Sequence, residues 1–291
     1  MNNYNKKWIY LFILSIIWGS SYILIKKSLE GLTPLQVGSL RVVFTTLTLF
    51  LVGYSTIKKV PKKKWKWIIL TGYIGSFFPS FLFAYAQTEI DSGITAILNS
   101  LTPLATLVIG LCFFKLIIDK KQILGIIIGL IGSGLLVFES SSINPDQNYF
   151  FVGLILLAST FYAISLNMLK AHLQDVSPVA IALGNFLCIL PPSILVLFFS
   201  GFESVNFSSQ QFQTSIVYVI ILSVVGSAFA KIIFNKLVQI SSPIFASSIT
   251  YTLPVVALMW GILDGEIMNI NQTLAALIIL LGVYLSNKKS N

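Results

Sequence analysis

Long apolar runs, separated by short polar segments, extend along almost the whole chain. Each run has about the length that a helix needs, roughly 20 residues, to cross a hydrocarbon layer of about 30 Å. Apolar runs of this length indicate membrane-spanning helices rather than the buried helices of a soluble domain. The pattern predicts an all-α integral membrane protein with ten transmembrane helices, at 8–26, 35–54, 67–86, 93–113, 122–138, 150–169, 178–200, 216–237, 243–263 and 271–286.

The second half of the chain repeats the pattern of the first. An offset of 144 residues pairs Trp18 with Tyr162, Lys26 with Lys170, Pro34 with Pro178 and Arg41 with Asn185. An offset of 151 residues pairs Gly75-Ser76 with Gly226-Ser227, Asn99 with Thr250 and Pro103 with Pro254.

Each copy of the repeat holds five predicted helices, and an odd number of crossings turns the second copy upside down relative to the first. We therefore expect two inverted five-helix repeats, at 8–138 and 150–286, joined by an external linker at 139–149. Inverted repeats are typical of secondary transporters, in which the two halves exchange conformations and expose a central site alternately to each side.

Composition and charge agree with a membrane protein. Hydrophobic residues make up 56% of the chain and charged residues only 10%, whereas soluble domains carry about 25% charged residues. The net charge of +9 is unevenly placed: fifteen lysines fall in one set of predicted loops, and the other set holds only Lys26 and Lys27. This positive-inside asymmetry predicts that both termini lie in the cytoplasm. The basic residues then face anionic lipid, and we expect no nucleic-acid partner.

Two cations fall within predicted helices, Arg41 in the second and Lys231 in the eighth, and no acid lies deep in any helix. Because ionisable groups in hydrocarbon are costly, they are candidates for a transport site unless they snorkel to the membrane surface. Asn235 lies one turn from Lys231 on the same helix face. These residues predict an electropositive pathway for a solute that carries a carboxylate or a phosphate.

Pro103 and Pro254 predict two further polar positions. A proline leaves the carbonyl four residues earlier without its helical donor, which here frees the carbonyls of Asn99 and Thr250. Interrupted helices at equivalent points of two repeats are typical of midplane binding sites. A simple packing kink is the alternative interpretation.

Aromatic residues near the middle of the predicted helices are candidates for the wall of a solute cavity. Trp18 and Tyr22 lie one turn apart, Tyr162 is the repeat partner of Trp18, and Tyr251 neighbours Thr250. An aromatic ring with a polar tip suits such a wall, although the same residues also suit packing in a core.

Other chemistries find little support. Cys112 and Cys188 lie singly in apolar helices, and the only histidine, His172, lies in a short predicted loop. We therefore expect no enzyme activity, no cofactor and no metal site.

The fifth helix has a face of small residues, Gly125, Gly129 and Gly132. This face serves either packing within the bundle or a dimer contact, and we expect a monomer or a weak dimer.

The order of several short motifs resembles EamA-type members of the drug/metabolite transporter superfamily. They are Trp18-Gly19-Ser20-Ser21-Tyr22 with Pro34 and Arg41, the stretch from Ala96 to Pro103, its counterpart from Ala246 to Pro254, and Gly261 to Glu266 with Gln272 and Gly282. The resemblance implies a ten-helix carrier of the inner or plasma membrane, commonly an exporter of amino acids or other small metabolites, with a central cavity lined by helices 1–4 and 6–9. Many repeats of this type carry Glu where this chain has Lys115, whereas the second repeat keeps Glu266.

These observations predict a secondary transporter that exports a small organic metabolite by alternating access. A membrane sensor or partner-binding scaffold without solute flux is the alternative from another class, and a channel is a third.

Overall fold

The computed structural model describes residues 3–114, 120–143 and 148–287, and within these residues the regular structure is entirely helical. The α-helices are α1 Asn3–Ser28, α2 Pro34–Ile57, α3 Trp65–Gly72, α4 Phe78–Ala86, α5 Ser92–Asn99, α6 Thr102–Phe114, α7 Lys120–Ile143, α8 Phe150–His172, α9 Pro178–Phe198, α10 Gln210–Ile221, α11 Ala230–Ile240, α12 Pro243–Ser247, α13 Leu253–Leu263 and α14 Ile270–Asn287. Lys115 and part of the predicted linker, residues 144–147, lie outside the described residues.

Within the described part of the chain, eight helical segments are long and apolar enough to cross a membrane. They are Asn5–Ser28, Pro34–Ile57, Lys62–Ala86, Ser92–Phe113, Phe150–His172, Pro178–Phe198, Gln210–Ile240 and Phe245–Leu263. Two shorter apolar helices, Ile123–Glu139 and Ile270–Gly282, lie where the fifth and tenth helices were predicted.

Four of the eight long segments are irregular near their middle. A π-helix at Tyr73–Phe77 joins α3 to α4, and a second at Leu222–Phe229 joins α10 to α11. The other two segments break between α5 and α6 and, through the 3-10 turn Ser248–Tyr251, between α12 and α13. Pro103 and Pro254 each occupy the second position of the helix that follows the break, where a proline costs no helical hydrogen bond.

The helices α7 and α14, which contain these shorter apolar stretches, pack against each other along their length. A Cβ built on Gly282 would lie only 2.7 Å from the Gly125 carbonyl oxygen, and one built on Gly132 would lie 2.8 Å from the Ile279 nitrogen. Such backbone approach requires small residues. The glycine face of the fifth predicted helix is therefore used for packing within one chain, rather than left open for a dimer contact.

The α7–α14 contact predicts opposite effects for two glycine substitutions. We expect Gly282→Ala to lower the free energy of unfolding by about 1–3 kcal/mol, because the new methyl group meets backbone atoms that cannot move aside. Gly134 is the matched control, since a Cβ there meets nothing within 4 Å. Gly134→Ala should be neutral or stabilising by up to about 1 kcal/mol through helix propensity. Thermal unfolding of the purified proteins in detergent measures both, and equal midpoints would contradict this packing.

Candidate functional site

A cavity of about 120 Å³ lies in the centre of the bundle. All eight long segments contribute to its lining, and α7 and α14 contribute none of the described lining residues. Seven of the residues predicted from the sequence line it, namely Trp18, Tyr22, Arg41, Asn99, Tyr162, Lys231 and Thr250. A cavity of this size has room for several water molecules or for part of a small metabolite.

Arg41 reaches the cavity from α2. A capping box begins this helix: Thr33 Oγ1 accepts from the Gln36 nitrogen, and Gln36 Oε1 accepts from the Thr33 nitrogen. The Arg41 Nε donates to Ser227 Oγ at 2.7 Å. Ser227 belongs to the second π-helix and donates in turn to the carbonyl oxygen of Leu222, five residues earlier, at 3.3 Å.

Lys231 enters the same cavity from the first turn of α11. Its Nζ donates to the carbonyl oxygen of Gly75 at 3.0 Å, and Gly75 lies in the first π-helix. Both cations are thus held by neutral oxygen atoms. Neither forms an ion pair with any acid in residues 3–114, 120–143 or 148–287, and the described lining contains no Asp or Glu.

A hydrogen-bonded group centred on Asn99 forms another part of the wall. The Asn99 Nδ2 donates to the Tyr22 hydroxyl at 2.7 Å, and Asn99 Oδ1 accepts from the Ser159 hydroxyl at 3.0 Å and lies 3.0 Å from the Thr102 hydroxyl oxygen. The carbonyl of Asn99 is not left open to the cavity, because the Thr102 hydroxyl donates to it at 2.7 Å. The helix is interrupted just before Pro103, between α5 and α6, and Thr102 satisfies the backbone acceptor at this break.

Aromatic rings make the apolar part of the wall. Phe83 lies between Tyr22, which meets it edge-on at a centroid distance of 6.0 Å, and Tyr162, which stacks on it at 5.8 Å. Trp18 packs against Phe234 and donates through Nε1 to the carbonyl oxygen of Gly226 at 2.9 Å. The aromatic residues therefore line the cavity and pack in its wall at the same time.

Two predicted residues lie outside the lining. Asn235 is completely buried, and its Nδ2 donates to the carbonyl oxygen of Pro178, at the start of α9, at 3.2 Å. Tyr251 packs against the hydrophobic core. It follows Thr250 in a 3-10 turn, where successive side chains are about 120° apart, and of the two only Thr250 lines the cavity.

The polar partners of the two cations were not predicted as site residues. Gly75 and Ser227 belong to the Gly-Ser pairs that the repeat alignment brings together, so the signal was present in the sequence. Both lie in π-helices, from which the Gly75 carbonyl oxygen meets Lys231 and the Ser227 hydroxyl oxygen meets Arg41. Single π-helical turns often mark functional sites.

A cluster of ion pairs lies at one end of the bundle, at the last turn of α1. The Lys26 Nζ lies 2.9 Å from both Asp264 and Glu266, and Lys27 lies 2.5 Å from Asp264. Gly265, between the two acids, has a φ of 87°, a left-handed conformation that favours glycine and lets both carboxylates turn toward α1.

Glu266 also binds the start of α5. It accepts hydrogen bonds from the Ser92 nitrogen at 3.0 Å, the Ser92 hydroxyl at 2.6 Å and the Gly93 nitrogen at 3.1 Å. Burial favours the protonated carboxyl, but the bonds from Ser92, Lys26 and Gly93 outweigh it and hold the pKa of Glu266 below its ordinary value. This carboxylate therefore caps the positive end of α5 and pairs with Lys26 at the same time.

Comparison with known proteins decides the family. The model of the EamA-like transporter family matches the chain twice, at residues 6–138 and 150–288. The chain belongs to this family. EamA-like relatives include an uncharacterized transporter of Archaeoglobus fulgidus, 25% identical over 98% of this chain and 99% of that protein. An uncharacterized inner membrane transporter of Escherichia coli is 27% identical over 94% of this chain and 88% of that protein.

A third relative bears a more specific name. A probable amino-acid metabolite efflux pump of Salmonella typhimurium is 23% identical over 94% of this chain and 92% of that protein. A known crystal structure shares the fold, with a TM-score of 0.69 at 12% identity, and the match covers 95% of this chain and 94% of that chain. With its apolar helices and these relatives, this EamA-like chain is a multi-pass membrane protein of a transporter family.

The Glu266 cluster predicts how stability changes with pH. Because the pKa of Glu266 is lower in the folded protein than in the unfolded chain, the carboxylate stabilises the fold above the unfolded pKa. That contribution is lost as the pH falls through the folded pKa. We expect Glu266→Gln to lower the free energy of unfolding at pH 7 by about 1.5–3 kcal/mol and to flatten the decline between about pH 5 and pH 3.

Thermal unfolding in detergent across this pH range measures the effect. Glu203→Gln is the control, because Glu203 is exposed and forms no ion pair among the described residues. The same pH profile in Glu266→Gln and the unchanged protein would contradict the predicted role of this carboxylate.

Proposed function

We propose that this EamA-like protein is a secondary transporter that exports a small organic anion, such as an amino acid or another carboxylate-bearing metabolite, by alternating access. Membership of a transporter family supports solute flux. The probable amino-acid metabolite efflux pump among the relatives supports both the substrate class and the direction. The chemistry of the cavity supports a negatively charged group on the solute.

The observation that carries this proposal is the pair of cations without an acidic partner. Arg41 and Lys231 line the same cavity and bind only a serine hydroxyl and a backbone carbonyl in the described structure. These neutral partners satisfy hydrogen bonds but leave the positive charge in place. Because unpaired charge in a low-dielectric bundle is costly, an anion that enters the cavity gains from both cations.

The proposed architecture is two inverted five-helix repeats, at 8–138 and 150–286, joined by an external linker at 139–149. Reciprocal contacts support it. A Cβ on Gly226 would lie 2.8 Å from Ser21 Oγ, and one on Gly75 would lie 2.8 Å from Ser165 Cβ. The repeat alignment pairs Ser21 with Ser165 and Gly75 with Gly226. Such exchange of contacts is what a two-fold relation between the halves produces.

The ion pairs at the end of α1 provide a candidate lock for alternating access. Glu266, in the second repeat, binds Lys26 on α1 and Ser92 at the start of α5, both in the first repeat. Opening this end of the bundle requires those bonds to separate. In the proposed orientation, with both termini in the cytoplasm, this is the external end.

The remaining parts of the proposal follow from the same features. The excess of lysines in one set of loops supports cytoplasmic termini in an inner or plasma membrane. The proposed carrier acts on a small solute as a monomer or weak dimer, with no cofactor, no nucleic-acid partner and no catalytic reaction.

Transport in proteoliposomes tests the substrate class. The purified protein is screened for uptake and efflux of the twenty amino acids and of small mono- and dicarboxylates, each beside its neutral amide. We expect saturable flux of at least one carboxylate, reduced at least tenfold in kcat/KM by Lys231→Gln and by Arg41→Gln. A tenfold loss corresponds to about 1.4 kcal/mol, a modest value for a charged hydrogen bond.

Lys236→Gln is the matched control, because Lys236 lies on the same helix as Lys231 but is exposed. Unchanged affinity and rate in both cavity variants would refute the anionic substrate. Solute binding without flux would instead support a sensor or scaffold, and conductance that does not saturate would support a channel.

A further inference from the structure

Tyr22 and Asn99 share a buried hydrogen bond in the cavity wall. Asn99 Nδ2 lies 2.7 Å from the Tyr22 hydroxyl, and the two residues are only 4% and 6% exposed. A phenol hydroxyl has one proton, so it can accept one bond and still donate another. The direction of the Asn99–Tyr22 bond therefore decides whether Tyr22 offers a proton or a lone pair to a solute.

Ser159 determines which way the Asn99 amide faces. The buried Ser159 hydroxyl lies 3.0 Å from Asn99 Oδ1, and it has no other acceptor among the residues that the structure describes. A buried hydroxyl proton without an acceptor costs about 1–3 kcal/mol. The amide atom facing Ser159 is therefore the oxygen. The nitrogen then faces Tyr22, and the amide must donate to the phenol oxygen.

Among the residues that the structure describes, none accepts the Tyr22 proton. Its hydroxyl makes no second hydrogen bond to any residue in the described part of the chain, although the side chain lines the cavity. The same cavity holds the Arg41 guanidinium and the Lys231 ammonium, which only donate.

We infer that Asn99 is a positioning residue that turns the Tyr22 hydroxyl into a donor, so that Tyr22, Arg41 and Lys231 form one site for a carboxylate group. This inference rests on the proposed function, and it adds the basis of selectivity. An ionised carboxylate only accepts hydrogen bonds, so it matches three donors. The amide of the same solute has an NH₂ group that would face donors, and the site should reject it.

Raman spectroscopy tests the direction of the bond without any knowledge of the substrate. The tyrosine Raman doublet distinguishes a phenol that accepts a hydrogen bond from one that donates. The spectrum of the unchanged protein minus that of Tyr22→Phe isolates Tyr22. We expect acceptor character in buffer, added donor character with acetate, and no such change with acetamide. A phenol that donates without accepting in buffer, or no response to acetate, would overturn the inference.

Transport of a carboxylate and its amide supplies the second test. We expect Tyr22→Phe to reduce the preference for the carboxylate at least tenfold through its KM, and Ser159→Ala to reduce it several-fold with Tyr22 still present. Thr160→Ala is the control, because Thr160 neighbours Ser159 on α8 but its hydroxyl donates to the Leu156 carbonyl oxygen. An unchanged preference in Tyr22→Phe would overturn the inference, even if carboxylates are transported.

The two proposals can fail separately. If the unchanged protein transports no carboxylate, the proposed function is wrong, while the Raman response to acetate still decides whether Tyr22 donates into the cavity. Detergent-solubilised variants are compared by thermal unfolding first, so that loss of the fold is recognised.

Discussion

Backbone hydrogen bonding inside an apolar bundle is the constraint on which this structure depends. Irregular backbone at membrane depth is tolerated only where it is buried in protein or lines a cavity. The π-helices at Tyr73–Phe77 and Leu222–Phe229 both contribute to the cavity lining. Their glycine carbonyls are satisfied by side chains from other segments, Gly75 by Lys231 and Gly226 by Trp18. The π-helices that line the cavity thus also supply the carbonyl groups that hold the cavity wall together.

The same arrangement explains how two cations persist in the bundle with no acidic partner among the described residues. A serine hydroxyl and a backbone carbonyl keep Arg41 and Lys231 hydrogen-bonded, yet they leave the charges available to an entering anion. The acids are placed elsewhere, with Asp264 and Glu266 engaged by Lys26 at the end of α1. The cavity thus keeps positive charges without acidic partners in the described residues, whereas the charges at the end of α1 neutralise each other. This separation suits the proposed carrier, which must bind and later release a charged solute. A permanent carboxylate partner in the cavity would compete with the solute.

Much of the fold and part of the site could be predicted from the sequence. Apolar runs and the offset repeats located the helices, and the cost of charge in lipid singled out Arg41 and Lys231, both of which line the cavity. Neighbourhood along a helix was a poorer guide. Asn235, one turn from Lys231 on the regular helix α11, binds the start of α9 instead, and Tyr251 does not line the cavity although its neighbour Thr250 does. Spacing along one helix does not determine which other elements pack around each residue, and that packing decides which side chains reach the cavity.

Hydrophobic length, charge asymmetry and internal repetition are properties of the chain itself, and they determined the membrane class, the helix positions and the cations that needed a cavity. Which atoms meet those cations was decided only by the tertiary structure. Gly75 lies far from Lys231 along the chain, and Ser227 lies far from Arg41. The π-helical geometry sets the direction of the oxygen atoms of Gly75 and Ser227. The direction of the Tyr22 hydroxyl likewise depends on Ser159 of α8, which is far from Tyr22 along the chain. The single hydroxyl proton of Ser159 orients the Asn99 amide.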